Sequence, residues 1–414
     1  MRDRVAVRWS ARLVALAVVL VALVVAPGAP SSGAEYGGGS LALASGSLDE
    51  STTNELHALM AARTSEVTDS GGAANAPGSI HHDAPAEVRQ RRQWTIAGLR
   101  QLGVAEYSEE LIEPVIDLTP PGSEGDGPGR RLVVATRRTY RIAGVDARPA
   151  TETVFVEVGW TAGGWKVLHD DPLRSLGLTS DRGVWDVAPI DVRDEGSRVL
   201  IGAGASPARL AEVSTLLERA EDSLRSVDVV DPYLVVVPAS AEQAASFLQS
   251  PLDLSKFVAF VTFSVDRDDG WDPGPPRLVL QEGNLARRGT QRQIEILAHE
   301  LVHVAALRTA GPMTPLWVHE GFANWHVAGA VSAVGEGAAI PEGYAFRSGD
   351  LGDIVAAYDA AEALMARLGY LVGPDGPGRF FDGLGAVRSE PGTVIFHTEW
   401  ELARLGVTRE ELEG

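Results

Sequence analysis

The 414-residue chain contains no cysteine. This absence excludes disulfide bridges, zinc–thiolate sites, thiol catalysis and a lipid anchor on an N-terminal cysteine. Basic residues are also scarce relative to acidic ones, because 36 Lys and Arg stand against 56 Asp and Glu, which gives a net charge of −20. Nucleic acid requires a basic face, so we expect no nucleic-acid partner.

A phosphate-binding loop of the form G-x-x-x-x-G-K-[ST] is also missing from the sequence. What is present is the composition of a globular protein, with 45% apolar and 22% charged residues. At this length the chain has room for two or three domains, each with a hydrophobic core.

The N-terminus has a charge pattern typical of export. Residues 1–12 hold four arginines and one aspartate, and residues 13–26 then follow without a charge. An apolar run of this length matches the core of a secretory signal and falls short of the ~20 residues that span a bilayer. Small residues at positions 32–34 permit cleavage before Glu35. We predict that residues 1–34 form either a cleaved signal peptide or a retained anchor that associates with a membrane through residues 13–34, and that the protein is extracellular or in the cell envelope.

The rest of the chain divides into three parts by composition. Residues 35–85 are rich in Gly, Ser and Ala and are predicted to form a flexible linker, with one short helical pattern near residues 56–62. Residues 86–190 are predicted to form a small α+β accessory domain. Strands and helices alternate over residues 191–414, which predicts a second α+β domain.

The accessory domain has the pattern of a helix followed by an antiparallel meander. The predicted elements are a helix at 88–102 and strands at 131–142, 151–160 and 165–170. This order resembles the cone-shaped nuclear-transport-factor-like or cystatin-like domains. Trp160 and Trp165 flank the turn TAGG and are predicted to face each other across a hairpin. The arginines at 130, 131, 137, 138 and 141 form either a binding face or an exposed strand face that balances local acids, and we favour the latter.

The second domain begins with elements that have clear boundaries. Ser206 and Pro207 form an N-cap and first-turn pair for a helix that runs to about residue 226. The other predicted elements are strands within 197–204, 232–240, 257–265 and 276–283 and a short helix at 241–249.

The segment AHELVH, residues 298–303, follows these strands. A T-x-x-Q capping box of Thr290 and Gln293 is predicted to open the helix that carries it. Its buried stripe is formed by apolar residues at helical spacing: Ile294, Leu297, Leu301 and Val304.

Two histidines of this segment lie four residues apart. His299 and His303 therefore share one face of the helix, ~6 Å apart, where both can reach one cation. Glu300 lies at the flank of the pair, where a metal-bound water molecule would sit. The alternative is an amphipathic core helix with a polar edge, but burying these groups unpaired would be costly. We therefore favour a metal site.

A second block, TPLWVHEGFANW at residues 314–325, supplies a further donor. Thr314 and Pro315 are predicted to begin a second helix. Glu320 on this helix provides the third ligand of a catalytic zinc site, whose fourth position stays open for water.

Neighbouring residues on the second helix have supporting roles. Asn324 lies four residues after Glu320, and is predicted to accept the free ring N–H of a ligating histidine. Gly321 is predicted to let the two helices approach closely. Trp317 and Phe322 are predicted to anchor the second helix in the core.

HELVH followed by WVHEGFA, residues 317–323, resembles the gluzincin metallopeptidases, in which a glutamate on the next helix completes the zinc site. It is distantly similar to aminopeptidase N-like and thermolysin-like enzymes. The second block is at least as similar to the bacterial peptidase MA-like domains, which read H-E-L-x-H and then P-x-W-x-x-E-G-x-A. This resemblance covers roughly residues 196–370. It implies a zincin-like catalytic domain with a small sheet, an active-site helix and a helical C-terminal part.

The resemblance also implies residue roles. It assigns three zinc ligands and one general base: His299, His303, Glu320 and then Glu300. A tyrosine that opens the helix after the glutamate segment stabilises the oxyanion in the family pattern, and we favour Tyr358 over Tyr344 and His326. The chain departs from the aminopeptidases because it has no G-x-M-E-N segment, which they use to hold a substrate N-terminus.

The remaining histidines are interpreted as non-ligands. His319 and His326 point away from Glu320 on the predicted helix, which indicates surface residues or neighbours of the site. Four others fall in the linker or the accessory domain and are predicted to be exposed: His57, His81, His82 and His169. The sequence does not place His397.

These features predict an exported, zinc-dependent metallopeptidase that acts on a peptide or protein substrate. A strand near the zinc, at 257–265 or 277–281, is predicted to align an extended peptide by β-addition. The alternative is a non-catalytic cell-envelope protein that retains the fold as a scaffold and binds its substrate through the accessory domain. An intramembrane protease is excluded, because no second apolar segment reaches spanning length.

Overall fold

The fold is α+β, as the sequence predicts, and contains two separate five-stranded sheets. The computed structural model describes residues 42–43, 48–69, 77–119, 129–176, 179–224, 227, 232–248, 254, 257–263, 275–307, 309–311, 314–328, 338–348, 350–386 and 394–414. The predicted signal or anchor at residues 1–34 lies outside these ranges. Within them, every helix is too short or too polar to traverse a bilayer.

The first sheet is antiparallel throughout, with strands in chain order. Its strands are β1 (Ala42–Leu43), β2 (Val104–Asp117), β3 (Arg131–Ile142), β4 (Ala150–Thr161) and β5 (Gly164–Asp170). Two helices accompany it, α1 (Glu50–Thr68) and α2 (Ala86–Gln101). The predicted hairpin is confirmed, since Trp160 pairs with Trp165 and their rings meet edge to face at 5.6 Å.

Helix α1 contains the short helical pattern predicted near residues 56–62, but it spans 19 residues and so corrects the prediction of a flexible linker over this part of residues 35–85. Asp49 caps this helix by accepting the Thr52 backbone N–H at 2.8 Å. Leu56 and Met60 are buried in one apolar cluster with Trp165 of the sheet. The prediction was based on composition, and the segments that flank this helix are rich in Gly and Ser. The apolar residues of the helix are buried only by packing against the sheet, which lies far away in the sequence.

Strand β2 was not predicted at all. It contains Pro114, which cannot donate to a ladder, and its pairing with β3 shifts register at three places. Long polar runs and irregular pairing remove the alternation by which a strand is recognised.

The arginines of β3 pair with acids, which is the interpretation that the sequence favours over a binding face. Ion pairs join Arg131 to Glu157, Arg138 to both Glu152 and Asp186, and Arg141 to Glu106. Arg138 is an exception to the expected exposure, because it lies buried beneath α2.

The second sheet has the order β6-β7-β8-β10-β9. Its strands are β6 (Asp191–Asp194), β7 (Arg198–Ala203), β8 (Tyr233–Pro238), β9 (Ala259–Thr262) and β10 (Arg277–Leu280). β7, β8 and β10 are parallel, whereas β6 and β9 are antiparallel edge strands. All the strands predicted after residue 196 are thereby confirmed, with shorter bounds.

Helices cover one face of this sheet. The apolar side chains of α3 (Pro207–Ser223) and α6 (Thr290–Ala306) share a core with that face. Ser206 caps α3 as predicted, since its hydroxyl accepts the Arg209 backbone N–H at 3.2 Å. The short α4 (Ala241–Leu248) and α5 (Glu282–Leu285) complete the strand connections.

The opposite face belongs to a core that extends to the part of the chain around the first sheet. Trp185 and Ile190, which follow the first sheet, lie in the same apolar cluster as Ile201 and Val236 of the second. An ion pair between Arg277 of β10 and the fully buried side chain of Asp146, at 2.7 Å, joins the two sheets. The C-terminal helices extend this core: α7 (Leu316–Ala328), α8 (Leu351–Val372), α9 (Gly376–Gly385), α10 (Val394–Arg404) and α11 (Arg409–Glu413).

Candidate metal centre

Helix α6 presents the HELVH segment as predicted, but it begins differently. The N-cap is Gly289, with no side-chain hydrogen bond, so the predicted capping box of Thr290 and Gln293 is wrong. The Gln293 amide instead donates to the carbonyls of Leu285 and Arg288, at 3.0 and 2.9 Å. These bonds hold the helix start against the preceding turn. The predicted stripe is buried.

Three donor atoms from α6 and α7 meet at one point. His299 Nε2 lies 3.2 Å from Glu320 Oε2 and 3.1 Å from His303 Nε2, and His303 Nε2 lies 3.4 Å from Glu320 Oε2. The side chains are almost completely inaccessible, at 6%, 1% and 0% exposed for His299, His303 and Glu320. The structure therefore brings the three sequence-predicted ligands into one buried group that can hold a metal ion.

A positive charge at the centre would stabilise this arrangement. Two neutral imidazoles that point ring nitrogens at each other and at a carboxylate can share few protons among three acceptors. A cation inside the triangle satisfies all three lone pairs at once, whereas burial of the same groups without one is unfavourable. The donor set of two imidazoles and a carboxylate suits a borderline transition metal.

The electrostatics of the group agree with ligand roles. Burial raises the pKa of Glu320, but His303 and His299 together lower it to about 2, so the carboxylate is ionised. Burial lowers the pKa of His299, which favours the neutral imidazole that a metal needs. The Asn324 side chain accepts a hydrogen bond from the same ring, which partly offsets the effect of burial on the His299 pKa, and Asn324 thus lies in the position that the sequence predicts.

Glu300 is the least satisfied charged group beside the triad. Its side chain is completely buried, and neither carboxylate oxygen has a hydrogen-bond partner among the described residues. Burial, and then the charge of Glu320, raise the pKa of Glu300 well above its ordinary value. A carboxyl group kept free of partners next to a metal-binding triad is available for proton transfer with a reactant.

Tyr358 lies on the other side of the centre. It projects from α8, and its ring centroid is 6.4 Å from that of His299. Its buried hydroxyl has no hydrogen-bond partner of standard geometry in the described part of the chain. Burial raises the pKa of Tyr358, followed by the charges of Glu320 and Glu300. Phe346 packs edge to face on this tyrosine at 5.3 Å, a contact for which the sequence offers no signal.

Gly321 permits a different contact from the one predicted. The sequence assigns it to the approach of the two ligand helices, but the structure places it against α8. A Cβ atom at Gly321 would lie 2.4 Å from the Ala361 carbonyl oxygen. The close packing of α7 on α8 thus depends on this glycine, and it places Tyr358 beside Glu320.

We expect Gly321→Ala to destabilise the fold by ~1–3 kcal/mol, because the new methyl group must displace helix backbone rather than a flexible side chain. The matched control is Gly378→Ala in α9, where a Cβ meets nothing within 4 Å and a helix interior favours alanine. Urea unfolding followed by circular dichroism measures both. Equal stability of Gly321→Ala and the parent would contradict the close approach.

His319 and His326 lie outside the buried triad, and both are less exposed than surface residues would be. His319 is buried between His303 and Phe381, and burial lowers its pKa to about 3. His326 packs on Phe322 and Trp325, and burial lowers its pKa to about 4. His397 lies on α10.

The four histidines before residue 190 do not belong to the buried triad. His57, His82 and His169 are exposed, as predicted. His81 and His82 form a second group with Asp83 whose donor atoms lie close together, but this group is at the surface. Its side chains are 16%, 82% and 76% exposed, so it lacks the enclosed character of the buried triad.

Two further predictions are resolved by position. Of the two candidate edge strands, β9 lies at the edge of the second sheet, whereas β10 lies between β8 and β9. Among the oxyanion candidates, Tyr344 is 76% exposed, and His326 faces aromatic side chains. Tyr358 is the candidate that the structure brings next to a ligand.

Three helices thus build the centre. α6 supplies two imidazoles and one carboxylate, α7 supplies the third donor, and α8 supplies a buried hydroxyl. In comparisons with family models, curated proteins and solved structures, none matches this chain. The centre consists of these five side chains.

Proposed function

We propose that this protein is an exported zinc metallopeptidase of gluzincin type, with a zincin-like catalytic domain and a cone-like accessory domain. The observation that carries the proposal is the buried triangle of His299, His303 and Glu320 with the unpartnered Glu300 beside it. Tetrahedral zinc with ligands at ~2.0–2.2 Å places its donors ~3.3–3.5 Å apart, which is close to the 3.1–3.4 Å found here.

Zinc, when bound, supplies a Lewis acid that polarises the scissile carbonyl and activates a water molecule. His299, His303 and Glu320 hold it, and Asn324 orients the His299 ring. Glu300 accepts the proton of the attacking water and delivers it to the leaving amine. Glu300 would be ionised more readily with a cation bound at the triad, and the ionised carboxylate is the form that accepts the proton.

The Tyr358 hydroxyl is suited to stabilise the oxyanion of the tetrahedral intermediate. It is buried, has no hydrogen-bond partner of standard geometry among the described residues, and lies near the charges of Glu320 and Glu300. Its raised pKa keeps the proton on the hydroxyl, so that it can donate a hydrogen bond. The edge strand β9, against which α6 packs, provides the backbone on which an extended peptide substrate can align.

One observation favours a second candidate, a non-catalytic scaffold that retains a metal. The triad is as inaccessible as a structural metal site, and a ligand would then bind elsewhere. The accessory domain does contain a small polar cavity of about 50 Å³. However, its charged walls are paired, for example Arg91 with Asp170 and Arg182 with Asp171, which leaves no free group to recognise a ligand.

The metal content of the purified full-length protein tests the centre directly. We expect about one zinc per chain in the parent, the same in Glu300→Gln, and little in Glu320→Ala, because a three-ligand site loses its charged donor. Glu295→Ala, a surface carboxylate on the same helix, is the matched control. Zinc retention by Glu320→Ala, or its absence from the parent after zinc loading, would rule out this site.

A further inference from the structure

The centre is closed to a polypeptide. All of its side chains are buried, and the most exposed of the three ligands, His299, shows only 6% of its surface. A metallopeptidase must nevertheless place a peptide carbonyl next to the metal. Some part of the fold must therefore move before a substrate can enter.

The elements that border the centre differ in whether they can move. Helices α6, α7 and α8 carry the ligands, the base and Tyr358, so their displacement would dismantle the centre. Phe346 belongs to a separate segment, residues 338–348, which contains only the short 3-10 turn Ala345–Arg347. Phe346 is 1% exposed and packs on Tyr358, which in turn faces His299. This segment supplies none of the five side chains of the centre.

The same segment is tied to the C-terminal helix. The backbone N–H of Ile340 donates to Glu413 Oε1 at 3.2 Å, and Arg409 Nε donates to the same oxygen at 3.0 Å. Leu412, which is fully buried, anchors α11 in the core beside α8. A capping box of Thr408 and Glu411 fixes the start of α11.

We propose that residues 338–348 form a gate over the metal centre, with Phe346 as its plug and Glu413 of the C-terminal helix as its latch. The inference rests on the proposed function, because it explains how a substrate reaches a buried site. Opening withdraws Phe346 from Tyr358 and exposes His299, while the three helices keep their positions. Closure depends on the contact between Ile340 and Glu413.

Acylation of histidines by diethyl pyrocarbonate tests the gate without requiring activity or bound metal. The full-length protein, treated with a chelator, is modified at neutral pH, and each histidine is quantified by peptide mass spectrometry. Because a buried residue reacts only from its open state, the His299 rate reports the open population. We expect Glu413→Gln to raise this rate by about fivefold to tenfold, since the Ile340 N–H loses a charged acceptor.

Matched controls separate gating from general loosening. Glu410→Gln changes an exposed acid on the same short helix and should leave the rate unchanged. The exposed His57 should react at the same rate in every variant. Phe346→Leu, which shrinks the plug while keeping it apolar, should accelerate His299 modification without unfolding the protein, as a melting curve will show.

Equal His299 rates in Glu413→Gln and Glu410→Gln would overturn the latch, and an unchanged rate in Phe346→Leu would overturn the plug. Failure of the proposed function gives a different signature. In that case zinc does not bind or no peptide is cut, while the acylation rates, measured on metal-free protein, still report whether the gate exists.

Discussion

Glu300→Gln is expected to reduce peptide hydrolysis by ~10²–10⁴-fold while zinc content stays at the parental value. The amide has the size of the carboxyl group, so the buried space that Glu300 occupies remains filled. It cannot, however, accept a proton from water. Because Glu300 is not one of the three donors that meet at the centre, the ligand set is untouched. Cleavage of a fluorescence-quenched peptide library, together with metal analysis, measures both quantities.

The matched control is Glu295→Gln, one turn earlier on the same helix. Glu295 pairs with Arg292 at the surface and does not contact the triad, so its replacement should leave both cleavage and zinc unchanged. Parental cleavage by Glu300→Gln would remove Glu300 from the role of base. Joint loss of zinc and activity would assign it to the structure of the site instead.

Asp186→Ala is expected to lower the free energy of unfolding by ~3–5 kcal/mol, the typical result when one partner of a buried ion pair is removed. Asp186 accepts two hydrogen bonds from Arg138, at 2.9 and 2.6 Å, and one from Thr95 at 2.7 Å. Without it, the Arg138 guanidinium stays buried with Glu152 as its remaining acidic partner. Chemical denaturation monitored by tryptophan fluorescence provides the measurement.

The control for this prediction is an exposed pair in the same sheet. Glu106→Ala removes the partner of Arg141. The Glu106 side chain is 52% exposed and that of Arg141 is 30% exposed, so this change should lower the free energy of unfolding by less than ~1 kcal/mol. The contribution of Asp186 also has a defined pH dependence. Burial raises its pKa, but Arg138 lowers it further, so that the net shift is downward. The stabilisation is therefore present at neutral pH and is lost as the pH falls through the lowered pKa.

The metal-binding triad could be predicted because its information is local. A spacing of four residues places His299 and His303 on one helix face wherever that helix packs. Glu320 follows after a short turn, so few arrangements of the two helices are possible. Most strands of both sheets were recognised for the same reason, since apolar alternation and turn residues are visible in short windows, whereas β1, β2 and β6 were not predicted.

Features that depend on distant partners could not be predicted. Helix α1 was taken for a linker because its apolar residues make sense only against Trp165, about a hundred positions later in the chain. Gly321 was recognised as a point of close approach, but which helix it approaches is a property of the tertiary fold. The burial of His319 and the position of Phe346 likewise follow from packing between elements that no spacing reveals.

The ion pair between Asp146 and Arg277 has a consequence for how this protein can be divided. Because the sequence pattern changes to alternating strands and helices near residue 190, a gene fragment that starts at this residue is an obvious candidate for separate expression. Such a fragment would leave Arg277 without Asp146 and would expose to water the apolar face that the accessory domain shares with the second sheet. We expect this fragment to aggregate. We likewise expect proteolytic removal of residues 42–190 to inactivate the protein rather than to convert it to a mature form. The two sheets therefore form one folding unit. The boundary near residue 190 marks a change of topology within that unit.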